Sequence, residues 1–410
     1  MTGHAPALAD SNLIDSRLAW LRLAISLLMG TIGCVGMWSV VVVLPAVQAD
    51  FGTARATATL PFTLTMIGFA FGNVVMGRLA DRYGIVVPVV GSTLALGFGY
   101  CLAAFAPELS VFAFAHLLIG LGSSVYFGPL MADISHWFKQ RRGVAVTVAA
   151  TGNYLAGAVW PPIIQYFIAT AGWRPTHVGL GLFCLVTILP LGFLLRRPAP
   201  AHSIDAGVPA SRDMQAVLGL SPRMLLVLLS VAGLACCVAM SMPQVHIVAY
   251  CGDLGYGPAR GAEMLSLMLG LGIISRVGSG FLADRIGGLS TLLLGAVLQA
   301  ATLFLYLWFD GLVSLYVVSA LFGLVQGGIV PSYAIIVRDF FPPQGAGLRV
   351  GIVILSTVVG MALGGYLSGL IFDLTGSYTA AFANGFAWNL VTIAIALWLW
   401  LRSKRAWQAA

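Results

Sequence analysis

The sequence predicts an all-α membrane protein with twelve transmembrane helices in two six-helix halves. Its composition and the spacing of its apolar runs carry this prediction. Hydrophobic residues make up 59% of the 410 residues and charged residues only 9%, whereas soluble domains carry about 25% charged residues. Twelve apolar runs reach the length of about 20 residues that a helix needs to cross a bilayer. The composition therefore argues against a soluble enzyme, a disordered protein and a nucleic-acid-binding protein.

The twelve predicted spans follow one another with short connections. They cover residues 21–47, 57–77, 86–106, 109–135, 143–169, 176–195, 224–250, 262–283, 289–309, 312–337, 350–372 and 379–401. One long polar stretch, Arg196–Arg223, interrupts the series near its midpoint. The predicted organisation is therefore an N-terminal half (1–195), a cytoplasmic central loop (196–223) and a C-terminal half (224–410).

The basic residues predict the orientation of the chain. With the N-terminus in the cytoplasm, the cytoplasmic segments hold 17 of the 21 Lys and Arg residues, and the outer segments hold only Arg55, Arg174 and Arg260. This asymmetry follows the positive-inside rule and predicts that both termini are cytoplasmic. Short termini and loops are typical of a bacterial inner-membrane protein. The remaining basic residue, Arg276, falls inside span eight.

An internal repeat relates the two halves. Residues 72–84 (GNVVMGRLADRYG) and 275–287 (SRVGSGFLADRIG) match at seven of thirteen positions, with an offset of 203 residues. Gly120 and Gly323 keep the same offset. Both copies follow an even-numbered span and enter a predicted cytoplasmic loop. The halves are therefore parallel repeats, a design that places a substrate site near the membrane midplane.

The duplicated G-x-L-A-D-R-x-G segment resembles the signature loop of the major facilitator superfamily. With the twelve spans and the central loop, the resemblance covers essentially the whole chain. It implies the major facilitator fold and secondary transport by alternating access. We expect its glycines to allow close helix packing and its charges to clamp helix ends. The predicted conformational latch comprises Gly77, Asp81, Arg82, Gly280, Asp284 and Arg285.

Further segments resemble the monocarboxylate and oxalate/formate transporter branch. They are 139–152, the prolines Pro161–Pro162, Gly172–Arg174, 245–256, and an arginine in span eight, Arg276. The resemblance implies a small carboxylate substrate.

The sequence departs from that branch at three places. Gly272 stands where animal monocarboxylate transporters often carry aspartate, His116 stands where many relatives carry arginine, and span one has no interior lysine. Proton symport, exchange and uniport therefore stay open.

Arg276 is the strongest candidate for a substrate-binding residue. It lies eight residues before Asp284, or roughly 12 Å along a helix, which puts it near the membrane midplane. Burying an arginine there costs about 2.5–3.5 kcal/mol. Its planar guanidinium can donate two parallel hydrogen bonds to a carboxylate. An internal ion pair is the alternative, but the predicted spans carry no Asp or Glu at mid-depth.

Other polar and aromatic residues at mid-span are weaker candidates. The resemblance implies that helices one, four, seven and ten line the cavity, where aromatic residues box the substrate in related transporters. Packing is the alternative for each. The further substrate-binding candidates are Tyr126, Tyr333, Asn153 and Trp38. Histidine titrates near neutral pH, so the proton-coupling candidates are His246 and His116.

The expected substrates are lactate- or pyruvate-like monocarboxylates, because one central cation balances one negative charge. The alternative is an oxalate or dicarboxylate exchanger. A proton/drug antiporter is disfavoured by the absence of a mid-span carboxylate. The sequence shows no Walker loop, nucleophile–base pair or metal-ligand cluster, so we expect no enzymatic activity, cofactor or metal. The expected partners are a small carboxylate anion, protons if transport is proton-linked, and the lipid bilayer, with the monomer as the functional form.

Overall fold

The computed structural model describes residues 13–197, 219–341 and 345–409. Most of the predicted central loop, the first twelve residues and Ala410 lie outside the described residues. All regular secondary structure within the described ranges is helical. The predicted all-α class is therefore confirmed.

The helices begin and end close to the predicted spans. In chain order they are α1 (Arg17–Gly33), α2 (Val35–Phe51), α3 (Arg55–Ala58), α4 (Leu60–Tyr83), α5 (Val86–Ala104), α6 (Leu109–Ser124), α7 (Gly128–Ser135), α8 (Arg142–Ala171), α9 (Trp173–Leu194), α10 (Pro222–Asp253), α11 (Pro258–Ile286), α12 (Gly288–Tyr306), α13 (Leu312–Gln326), α14 (Ile329–Phe340), α15 (Ala346–Thr375) and α16 (Tyr378–Ala409).

Eleven helical segments of the described chain are long and apolar enough to cross a membrane. The fifth predicted span forms α8, whose 30 residues are also sufficient in length. Its apolar run is diluted by Asn153, by Gln165 and by the adjacent prolines Pro161 and Pro162. This dilution explains why α8 is not among the eleven segments.

Spans one, four and ten are each interrupted. Span one breaks at Cys34 between α1 and α2, span four at 125–127 between α6 and α7, and span ten at 327–328 between α13 and α14. Residue 125 corresponds to residue 328 by the repeat offset of 203. The interruptions in spans four and ten are therefore repeat-related features.

Contacts divide the chain into two compact units. Unit 1 comprises 1–51 and 64–206, and unit 2 comprises 52–63 and 207–410. The segment 52–63 thus belongs to unit 2, although the predicted N-terminal half contains it. The predicted boundaries at 195 and 223 stay a prediction, because the stretch between them is largely outside the described residues.

Helix packing in unit 1 depends on glycine at close approaches. A Cβ on Gly120 would lie 2.0 Å from the Thr65 carbonyl oxygen, so α6 and α4 meet backbone to backbone. At one end of the unit, Arg22 donates to both carboxylate oxygens of Asp133 at 2.8 and 3.0 Å. The guanidinium of Arg22 also stacks 4.4 Å from the ring centre of the buried Trp137.

In unit 2, glycines of α15 make the same kind of contact with α10. A Cβ on Gly360 would lie 2.3 Å from the Leu234 carbonyl oxygen, and one on Gly364 would lie 2.5 Å from that of Val238. Small residues thus let the backbones of α15 and α10 approach closely.

The close approach expected at the motif glycines is absent from the described structure. A Cβ on Gly77 or on Gly280 would meet no neighbouring atom within 4 Å. Gly280 is exposed and Gly77 is half-buried, so neither faces a packed helix. Asp81 and Asp284, which follow them, are also exposed. The close helix packing expected at Gly77 and Gly280 is therefore not found, and the role of the six motif residues as a conformational latch stays a prediction.

Candidate functional site

Arg276 lies well inside α11 and is half-buried. It stands 18 residues from the first residue of the helix and 10 from the last, or about 27 and 15 Å along the axis. Helix α11 closely approaches the interruption of span ten here, because a Cβ on Gly327 would lie 2.8 Å from the Arg276 backbone nitrogen. The hydroxyl of Ser279 donates to the Arg276 carbonyl oxygen at 3.0 Å. The backbone around Arg276 is therefore closely packed.

The repeat partner of Arg276 has a structural role. In unit 1, the side-chain oxygen of Asn73 accepts the backbone N–H of Gly128 at 3.2 Å, just after the interruption of span four. The residue equivalent to Gly128 in unit 2 is Pro331, which has no backbone N–H to donate. The bond that Asn73 accepts thus has no counterpart at Arg276.

Tyr333 follows the interruption of span ten and lies in α14. Its side chain is fully buried, and its hydroxyl has no hydrogen-bond partner within the described structure. The structure therefore brings Tyr333 into unit 2 together with Arg276, as a buried side chain with a polar tip.

A pair of buried glutamines was missed by the sequence interpretation. The side-chain amide of Gln244, on α10, donates to that of Gln326, the last residue of α13. The side-chain nitrogen of Gln326 is buried and has no hydrogen-bond partner within the described structure. Gln326 also immediately precedes Gly327, which packs against α11. Its position at the end of a broken span is the signal that could have identified it.

His246 is fully buried in α10. Its Nε2 atom lies 2.9 Å from the Gly365 carbonyl oxygen, and its Nδ1 atom lies 3.2 Å from the Tyr378 hydroxyl. A carbonyl oxygen only accepts, so Nε2 carries the hydrogen and Nδ1 of the neutral ring accepts from Tyr378. His246 is thus a neutral member of a hydrogen-bonded chain.

Arg55 continues this chain, and the sequence interpretation assigned it no role beyond orientation. Arg55 is only 7% exposed. The guanidinium donates to the Tyr378 hydroxyl and lies 3.1 Å from a carboxylate oxygen of Asp253. The three residues come from 52–63, α16 and α10, which all belong to unit 2.

In unit 1, two of the predicted substrate-binding residues meet. The indole nitrogen of Trp38 donates to the backbone and side-chain oxygens of Asn153 at 3.1 and 3.2 Å. Trp38 is buried and Asn153 is half-buried. The side-chain oxygen of Asn153 therefore already accepts a bond from within the unit.

Tyr126 lies in the interruption of span four and is buried. Its hydroxyl bonds the hydroxyl of Thr93 at 2.6 Å. Its ring fills the space left by Gly33, since a Cβ there would lie 2.0–2.4 Å from ring atoms. In this structure the side chain of Tyr126 packs spans one, three and four together.

His116 is fully buried in α6 beside a second histidine that the sequence interpretation missed. The Nδ1 atoms of His116 and His177 lie 3.0 and 2.9 Å from the carbonyl oxygens of Phe112 and Trp173, one helical turn earlier. The two imidazole rings are 5.9 Å apart, centre to centre. The predicted proton-coupling histidines, His116 and His246, therefore lie in different units.

The predicted site residues fall into two groups. Arg276, Tyr333 and His246 belong to unit 2, and the others, Tyr126, Asn153, Trp38 and His116, belong to unit 1. Within the ranges that the structure describes, no three His, Cys, Asp or Glu side chains gather as a metal site requires.

Comparison with known proteins identifies the family. The profile of the Major Facilitator Superfamily matches residues 26–317 and 279–410. Monocarboxylate transporter 13 from Bos taurus is 29% identical over 330 residues, which cover 78% of this chain and 75% of the relative. MFS-type transporter opdF from Penicillium oxalicum is 25% identical over 419 residues and covers 96% of this chain and 93% of its own.

A solved structure supports the fold. It is the crystal structure of a bacterial homolog of the human lysosomal transporter Spinster, in an inward-facing and unoccupied conformation. It superposes with a TM-score of 0.70 at 12% identity, covering 96% of this chain and 97% of its own. The duplicated motif, the helical architecture and these likenesses agree. The chain belongs to the Major Facilitator Superfamily and is an integral membrane transporter of that family.

Proposed function

We propose that this transporter moves small organic monocarboxylates of the size of lactate or pyruvate, with Arg276 binding the carboxylate. The observation that carries the proposal is the position of Arg276, deep in α11 and half-buried. Its repeat partner Asn73 instead accepts a backbone bond that Pro331 cannot donate. The arginine is therefore not part of the shared scaffold, and a planar guanidinium suits a planar carboxylate.

The relatives support the substrate class. Transporters named for monocarboxylates are 28–29% identical to this chain over 330 residues. We extend the substrate class of these relatives to this protein as part of the proposal. Charge limits the substrate to one carboxylate. A second carboxylate without a second cation would carry a desolvation cost of several kcal/mol.

The test is uptake of radiolabelled lactate into proteoliposomes in competition with unlabelled acids. Pyruvate is expected to compete well, whereas oxalate and malonate compete poorly. The opposite ranking would favour the oxalate-type exchanger and overturn the monocarboxylate assignment. An empty-liposome control removes passive entry of the protonated acid.

We propose that the protein works by alternating access in a bacterial inner membrane, with both termini cytoplasmic.

Proton symport is the preferred form of transport, with His246 or His116 as the proton carrier, and exchange and uniport are the alternatives. An inward proton gradient should drive accumulation in wild type and fail in a His246→Gln and His116→Gln double variant. Full accumulation in the double variant would remove both histidines as carriers. Counterflow without gradient-driven accumulation would indicate exchange.

A further inference from the structure

The segment 52–63 is held on unit 2 by its backbone. One carboxylate oxygen of Asp373 accepts the backbone N–H of Arg55 at 2.8 Å, and the other accepts that of Ala56 at 2.7 Å. Gly369 presents bare backbone to this turn, because a Cβ there would lie 3.0 Å from the Ala56 Cα. A glycine one turn earlier, Gly365, leaves room for the ring of Phe62 in the same way. The segment is therefore docked on α15.

The side chain of Arg55 makes a second attachment. It reaches Asp253 at the end of α10 and the hydroxyl of Tyr378 at the start of α16. Its guanidinium lies 4.7 Å from the ring centre of Phe372, a cation–π distance. Arg55 thus joins the docked segment to three helices of unit 2.

The hydrogen bonds of this cluster run in one direction. Arg55 donates to the Tyr378 oxygen, Tyr378 donates to Nδ1 of His246, and Nε2 of His246 donates to the Gly365 carbonyl oxygen. An arginine only donates and a carbonyl oxygen only accepts, so both ends of the chain are fixed. A neutral His246 is the one form that satisfies every member.

We propose that Tyr378 is a positioning residue that couples proton binding at His246 to release of the segment 52–63 from unit 2. An imidazolium carries a hydrogen on Nδ1 as well as on Nε2. The Tyr378 oxygen would then face two positively charged donors, and its own hydrogen would lose its acceptor. Repulsion between the two cations that face one acceptor oxygen then breaks the bond from Arg55 to Tyr378 when His246 is protonated.

The other titratable and charged groups facing the cluster are Asp253, Asp373 and Tyr250. The ring of Tyr250 lies 5.2 Å from that of Tyr378, centre to centre. Both carboxylates are at the exposed edge of the unit, with Asp253 38% exposed. Exposed carboxylates interact only weakly through water, so Asp253 and Asp373 offset the charge of a protonated His246 only in part. Asp373 keeps the backbone bonds until the side chain of Arg55 leaves.

This inference deepens the proton-linked form of the proposed function and rests on it for its role in transport. Helix α4 begins in the docked segment and continues from residue 64 into unit 1. Docking therefore decides whether the start of α4 is held by unit 2. Docking itself is measurable without any substrate, so its test is independent of which acid is transported.

The experiment is hydrogen–deuterium exchange of the detergent-solubilised protein between pH 8.0 and pH 5.5, corrected for the intrinsic pH dependence of exchange. We expect the amides of 52–63 to lose protection about tenfold or more on acidification in wild type. His246→Gln and Tyr378→Phe should abolish that pH response. Asp373→Asn should weaken protection at every pH, because the amide presents only one acceptor oxygen. His136→Gln, which changes a histidine outside the cluster, should behave as wild type.

A peptide from α5 reports whether each variant is folded. Protection of 52–63 that does not change with pH in wild type would overturn the proposal. A pH response that survives in both His246→Gln and Tyr378→Phe would overturn it equally. If docking responds as expected but no carboxylate is transported, the coupling stands and the proposed substrate class fails.

Discussion

Units 1 and 2 share one helix contact of the repeat but differ in the side chains beside it. In both, a glycine of span four or ten packs against a backbone carbonyl of the preceding even-numbered span: Gly120 against Thr65, and Gly323 against Met268, at 2.0 and 2.2 Å from the Cβ position. About two turns further along, the units differ. In unit 1, Asn73 accepts the backbone N–H of Gly128, whereas the equivalent positions in unit 2 hold Arg276 and Pro331. The glycine contacts are thus the scaffold that both units share. Arg276, which differs from its repeat partner, is the candidate for function.

The largest expected effect is at Arg276. Arg276→Ala should reduce carboxylate uptake at least 100-fold, since two hydrogen bonds to a charged group contribute about 1.5–3 kcal/mol each. Arg276→Lys should recover little, because a point charge does not reproduce the fork. The measurement is initial uptake into proteoliposomes at matched protein density.

Asn73→Ala is the matched control for Arg276→Ala. It removes the acceptor of the Gly128 N–H and should lower the thermal unfolding temperature while leaving the affinity for the acid unchanged. If Arg276→Ala transports at the wild-type rate, or if Asn73→Ala changes substrate preference, the contrast between the two units is wrong.

The next effect concerns the shared glycines. Gly120→Ala and Gly323→Ala should each destabilise the protein by about 1–3 kcal/mol, the range of an overpacked interior, because a methyl group would meet a carbonyl oxygen. Thermal unfolding in detergent would show similar losses for both. Gly77→Ala and Gly280→Ala are the controls and should cost little, since a Cβ at either site meets no atom within 4 Å. A large loss in the controls alone would contradict the packing described.

A smaller effect should distinguish the two tyrosines at the span interruptions. Tyr126→Phe loses the bond to Thr93 and should cost about 1 kcal/mol of stability without changing half-saturation. Tyr333→Phe should raise the half-saturating concentration of the acid several-fold, because it removes a buried hydroxyl that has no hydrogen-bond partner within the described structure and that we expect to bind the substrate. Uptake curves and unfolding temperatures of both variants separate these roles, and equal half-saturation in the two would remove Tyr333 from the site.

The smallest effect is expected at the duplicated motif. Asp81→Asn and Asp284→Asn change exposed carboxylates, whose interactions contribute about 0–1 kcal/mol. They should slow uptake no more than about fivefold and leave the order of preferred acids unchanged. The competition panel measures this directly. A reordered panel in either variant would show that the motif acts on the substrate site.

The sequence predicts the spans well because length and hydropathy are local properties. All twelve predicted spans begin and end near helices of the structure. The role of Arg55 was not predictable, because its partners Asp253 and Tyr378 lie about 200 and 320 residues away in the chain. The pairing of Gln326 with Gln244, which lies 82 residues earlier, is likewise not a local property. The packed role of Tyr126 depends on Gly33, a residue in another helix that no local pattern indicates.

The assignment of 52–63 to unit 2 bears on dividing the protein into fragments. A cut in the central loop, the natural place for co-expressing two halves, would leave this segment on the first fragment. The second fragment would then present Gly365, Gly369 and the carboxylate of Asp373 without the turn that covers them. The two polypeptides would therefore not be equally self-sufficient. Supplying residues 52–63 as a separate peptide or as a fused extension is the remedy that the structure indicates for the C-terminal fragment.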